Sequence, residues 1–197
     1  MFEQQLPEVW VMKMKQITLI AVLMITFATH AVAECRNLCD ADWWRAGKTT
    51  VDIQAELDAG AEVIATTKYG ATPLHFAALS QAPENIQFLL DGGANVNAST
   101  EDGHTPLHSA AMLGTPASIQ VLLNAGAKVN SPTDGGHTPL HSAAMLGTAA
   151  SIQVLLDAGA DAKAKNEQDK TPWNFAQENE QLKGTDAYRA LKDAQYN

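Results

Sequence analysis

A chain of 197 residues with 46% hydrophobic and 18% charged side chains has enough apolar surface to bury a core, which excludes disorder as the default state. Thirteen basic against 22 acidic residues give a net charge of -9, and no stripe of lysine and arginine relieves it. Such a surface repels phosphate backbones and anionic headgroups, so nucleic acid is not an expected partner.

In chain order, the first feature is an address. Lys13 and Lys15 precede ITLIAVLMITF at 17–27, an apolar run too short to span a bilayer comfortably, and AVA at 31–33 supplies the small residues of a cleavage site. The pattern predicts a secretory signal peptide over 1–33, cleaved after Ala33, and a mature periplasmic or secreted protein that begins Glu34-Cys35 and has left the membrane. An uncleaved anchor is the alternative. Glu34 stands where a lipoprotein signal would place a small residue, which disfavours lipidation. The leading MFEQQLPEVWV fits no part of such a signal, whereas Met12 or Met14 would start a compact one, so the start is read as over-long.

Cys35 and Cys39 are the two cysteines of the chain. In an oxidising compartment such neighbours are expected to pair, and closing so small a ring is worth about 2 kcal/mol before strain. A catalytic redox pair is the sharper alternative, but CRNLC is not C-x-x-C and no histidine follows for haem attachment.

Beyond the cysteines the chain repeats itself. HTPLHSAAMLGT occupies 104–115 and again 137–148, TPLH begins at Thr72, Thr105 and Thr138, and a weakened TPWN begins at Thr171. Gly60, Gly93, Gly126 and Gly159 keep the same period, which extends the pattern one unit upstream, where Cys39 takes the threonine slot and Asp40 to Ala46 the first helix. Threonine before proline reads as an N-cap followed by an N1 residue. Leu107, Ala110 and Ala111 mark the packed side of that helix, Gly114 is placed to end it in the left-handed conformation, and Thr115-Pro116 starts the next. Ile119, Leu122 and Leu123 give the second helix one apolar face, Gly126 ends it, and AKVNSPTDGGH is turn chemistry. His104 and His108 do not share a helical face as an i, i+4 ligand pair would, because proline lies between them.

These motifs resemble the ankyrin repeat over residues 36–197. The resemblance implies an all-α solenoid of stacked helix-turn-helix units with β-hairpin fingers, divided as a capping unit at 34–66, repeats at 67–99, 100–132 and 133–165, and a capping unit at 166–197. It also implies that His75, His108 and His141 hydrogen-bond backbone around the fingers and tie adjacent repeats. The ends depart from the pattern: Trp173, Asn174 and Asp169 replace leucine, histidine and turn glycine, and Gln81 replaces the helix-end glycine of the second unit.

The family's geometry puts Lys68, Tyr69, Glu101, Asp102, His104, Asp134, His137, Glu167, Gln168 and Lys170 at the fingertips. Leu79, Ser80, Met112, Leu113, Met145, Leu146, Glu178 and Asn179 form a groove floor. An apolar floor beneath acidic fingers suits a protein partner with an apolar centre and a basic rim. The expectation is a monomeric, non-catalytic protein-binding module without cofactor: G-x-S-x-G, H-E-x-x-H and a phosphate-cradling glycine loop are all absent from the sequence. The alternative is an accessory role in metal or redox homeostasis through His104, His137 and the cysteines.

Overall fold

The structure, a computed structural model, describes residues 35–196; the expected signal segment and cleavage site lie outside them. A 3-10 turn at Arg36–Cys39 is followed by α1 (Ala41–Arg45), α2 (Thr50–Asp58), α3 (Pro73–Leu79), α4 (Pro83–Asp91), α5 (Pro106–Leu113), α6 (Pro116–Asn124), α7 (Pro139–Leu146), α8 (Ala149–Asp157), α9 (Pro172–Ala176) and α10 (Asp186–Tyr196). The first helix of each pair packs on the next first helix, from α1 through α3, α5 and α7 to α9. The second helices, α2, α4, α6, α8 and α10, do the same, which gives two layers.

Local chemistry starts these helices. Thr72, Thr105, Thr138 and Thr171 hold extended backbone, their hydroxyls accept an N-H of the first turn, and the proline that follows has no N-H to leave unpaired. The third helical residue, His75, His108, His141 or Asn174, accepts the cap residue's own N-H and completes a capping box. Between the layers, Leu74, Leu107 and Leu140 from the first helices meet Ile86, Ile119 and Ile152 and then Leu89, Leu122 and Leu155 from the second, all of them buried. One core therefore runs through the repeats, and no unit buries its share alone.

Two glycine roles separate here. Gly126 has φ +90° and open space around a notional Cβ, as expected for the end of α6. Gly114 does not take the left-handed conformation expected of it: its φ of -76° and ψ of -172° are extended. A Cβ there would lie 2.7 Å from the carbonyl oxygens of both Ala110 and Ala78, so the position needs glycine because the neighbouring repeat's backbone touches it. Where Gln81 replaces that glycine, α3 stops one residue earlier in register, with Ser80 extended at its end and Ser80 Oγ donating to the Ala77 carbonyl at 2.6 Å.

The first unit also differs from expectation by one residue. Asp40, not Cys39, caps α1, its carboxylate accepting the N-H groups of Asp42 and Trp43. Cys39 instead ends the preceding 3-10 turn, its Cα 5.4 Å from that of Cys35 and the two sulfurs within bonding reach. Trp44 is buried beside this turn and its indole N-H donates to the Leu38 carbonyl at 2.8 Å. At the other end Trp173 fills the leucine slot and packs edge-on against Tyr188 of α10, ring centres 4.7 Å apart.

The two glycine roles predict different mutant costs. Gly126→Val carries only the conformational penalty of a β-branched residue at positive φ, on the order of 2 kcal/mol. Gly114→Ala forces two backbones apart and is expected to cost more, despite the smaller side chain. Denaturant titrations of both variants check the order; a stability for Gly114→Ala equal to the parent contradicts the packing assignment.

Candidate functional site

The fingers are tight turns. Thr67, Thr100, Thr133 and Asn166 each donate their N-H to the carbonyl four residues on, at Ala71, His104, His137 and Lys170, and their own carbonyls accept from Gly70, Gly103, Gly136 and Asp169. Among the described residues none is in a β-strand, so the fingers are hairpin in path without a strand ladder. Lys68-Tyr69, Glu101-Asp102, Asp134-Gly135 and Glu167-Gln168 are the central pairs of these turns, while His104, His137 and Lys170 supply the carbonyls that close them.

Single backbone bonds link one finger to the next: Glu101 N-H to the Tyr69 carbonyl, Asp134 N-H to that of Asp102, and Glu167 N-H to that of Gly135. The turn glycines permit this approach. A Cβ on Gly136 would lie 2.9 Å from Asn166 Cα, and one on Gly103 would lie 3.0 Å from Thr133 Cα. Asp169 holds the same left-handed backbone, φ +57°, on the finger at 166–170, with its side chain exposed and 3.4 Å from Lys165 Nζ.

Below the fingers, each motif histidine has both ring nitrogens occupied. His75 Nδ1 accepts the Thr72 N-H at 3.1 Å, so the proton sits on Nε2, which donates to the His104 carbonyl at 3.0 Å. His108 repeats the pattern onto the His137 carbonyl and His141 onto that of Lys170, each at 3.0 Å. The expected ties between adjacent repeats are therefore present. Burial drives all three pKa values down against the opposing effect of the carbonyl bond, and His108 reaches about 4.

The fingertip histidines differ from one another. His104 is exposed and lies outside α5, yet its ring comes to 5.5 Å from that of His108. His137 is half-buried, faces Phe175 at 5.3 Å, and its Nε2 accepts the Asn166 amide at 3.0 Å; burial lowers its pKa, helped by the charges of His104 and Lys170. Among the described residues no group of three or more His, Cys, Asp or Glu side chains is arranged to hold a metal ion.

On the floor, Leu113 and Leu146 are 54% and 53% exposed and Met145 is 39% exposed, while Leu79, Ser80 and Met112 are half-buried. Glu178 is exposed beside them. Asn179 is not available to a partner: it is buried, and its amide donates to the carbonyls of Ala144 and Gly147, where it closes the end of α7.

A pocket of about 560 Å³ opens where the first and second units meet. Trp44, Phe76, Leu79 and Leu113 form its apolar walls, and Arg45, Lys48 and Glu84 stand among its lining residues. The groove floor read from the sequence includes Leu79, Ser80 and Leu113 of this lining but not Trp44, Arg45, Lys48, Phe76 or Glu84. The available signal was the cluster of departures from the repeat at Gln81, Ala82 and Asn85, where the third unit has Gly114, Thr115 and Ser118.

Two layers of stacked helices, fingers bonded side by side and a buried histidine joining each repeat to the next define a solenoid built for surface contact. A family model for ankyrin repeats in three copies matches residues 44–133 and 78–166, and the chain belongs to the ankyrin repeat family. Such repeats are in general protein-interaction modules and not catalysts. The curated proteins contain no match to the chain. Among the described residues no helix is long and apolar enough to cross a membrane.

The buried histidines make stability depend on pH. An unfolded histidine takes up its proton near 6.5, whereas His108 in the fold resists until about 4. Between those values the unfolded chain binds more protons, so stability is complete above pH 6.5 and falls as the pH drops towards 4. His108 alone accounts for roughly 3 kcal/mol of that loss, and His75 and His141 add to it. Denaturant titrations at successive pH values check this; unchanged stability between pH 7 and 4 contradicts it.

Proposed function

We propose that the mature chain from Glu34 is a periplasmic or secreted binding module that engages one protein partner on the face formed by its first helices and fingers. The carrying observation is that Leu113, Met145 and Leu146, large apolar side chains, are left exposed near the ends of two first helices that pack on each other. Leaving such side chains in water is unfavourable, and exposed apolar side chains grouped in this way are what interaction sites present. The flanking fingertips suit a basic rim on the partner, since Glu101, Asp102, Asp134 and Glu167 outnumber Lys68 and Lys170. Tyr69, 61% exposed with Lys68 Nζ 4.6 Å from its ring centre, offers an aromatic anchor at the first fingertip. His104, His137 and Gln168 contribute polar contacts along the same row, and Met112 completes the floor. The protein acts as a monomer without a cofactor.

Two experiments test the reading. N-terminal sequencing of the exported protein is expected to begin at Glu34; a start at Met1, or retention in the membrane fraction, contradicts the export assignment. Affinity capture with the parent and with a Leu113→Glu, Leu146→Glu double variant is expected to recover a partner whose affinity falls about tenfold or more in the variant. Both positions are exposed, so the variant should melt with the parent. Equal retention by the two baits places the contact elsewhere.

A further inference from the structure

The pocket between the first two units adjoins the exposed apolar residues of the binding face, and Leu113 belongs to both. It exists because this end departs from the repeat. The five residues of α1 cover less of α3 than the eight residues of α7 cover of α5, and α3 itself stops at Leu79 where α5 runs on to Leu113. The opening is held in place from behind. Asn85, 1% exposed, donates its amide to the Lys48 carbonyl at 2.7 Å, while its Oδ1 has no partner.

The charge balance of the lining residues is opposite to that of the molecule, with Asp42 paired to Arg45 and Asp52 within electrostatic reach of Lys48 just outside the lining. Two cations, Arg45 and Lys48, line the pocket against the single carboxylate of Glu84, on a chain whose net charge is -9. Lys48 Nζ lies 5.5 Å from the Trp43 ring centre. Arg45 holds Asp42 at 2.6 Å in a pair exposed on both sides, which water screens and a competing carboxylate can exchange. A volume of about 560 Å³ falls within the range of pockets that enclose a ligand-sized group.

We infer that this pocket seats an aromatic or large branched side chain of the partner's peptide segment, and that a carboxylate next to that side chain meets Lys48 and Arg45. The inference rests on the binding face proposed above and deepens it. A segment lying along Leu146, Met145 and Leu113 ends at the pocket, with its acidic end there and its basic flank towards the fingers.

Selection of a random displayed peptide library on the purified protein tests this. The expected peptides share a large apolar residue adjacent to Asp or Glu. Ser80→Trp, which fills the mouth and gives up the Ser80 bond to the Ala77 carbonyl, and Lys48→Glu, which reverses its charge, are each expected to weaken them about tenfold, with cooperative melting retained in both and the melting temperature unchanged in Lys48→Glu. Peptides without the apolar-acidic pair, or equal affinity for both variants, overturn the inference. If the selected peptides ignore the pocket variants but are lost with Leu146→Glu or Asp134→Lys, the pocket assignment falls and the binding face stands. Peptides insensitive to all four changes, or a library that yields no binder, overturn both.

Discussion

Each repeat depends on a histidine ring that holds its proton on one side only. Nδ1 closes the start of a helix and Nε2-H reaches the carbonyl at the base of the next finger, so a single neutral ring fixes both the local turn and the spacing to the neighbour. Neither nitrogen has water as a substitute, because His108 is 1% exposed. The rest follows from this spacing. Fingers set one repeat apart exchange one backbone bond each, Gly103 and Gly136 admit that approach, and Gly114 and Gly147 admit the approach of the first helices beneath.

The first and last described units differ from the repeats between them. In the last, Asn174 takes the histidine position and keeps the capping bond to the Thr171 N-H. Asp169 takes the place of the turn glycine at positive φ, with its side chain exposed and paired to Lys165. Trp173 and Tyr188 pack edge-on between the last two helices. At the opposite end Trp44 bonds the Leu38 carbonyl of the 3-10 turn, and among the described residues the short α1 leaves the pocket open.

Much of this was legible in the sequence, because the repeat period and the Thr-Pro caps are local signals with one strong reading. The turns themselves are also written in their own few residues, from Thr67, Thr100, Thr133 and Asn166 to the carbonyls four residues on. The misplaced features depend on what approaches from another repeat. Gly114 has the same letter whether it ends a helix in a left-handed turn or makes room for the Ala78 carbonyl. Asn179 was read as a floor residue because nothing local reveals that its amide reaches back to the carbonyls of Ala144 and Gly147. The pocket escaped for a related reason: it is a property of the length of α1 relative to α3, and not of any motif.

Structural duty and exposure therefore fall on different side chains. The motif histidines are spent on the stack, while the side chains of Leu113, Met145 and Leu146 are left exposed on it. The measurement that tests this division most directly is nitrogen-15 NMR of the histidine rings, free and with zinc added. The account predicts that His75, His108 and His141 are neutral Nε2-H tautomers at pH 7, indifferent to the metal, with His108 titrating near pH 4. Averaged tautomers, titration near 6.5, or ring shifts on adding zinc would contradict it.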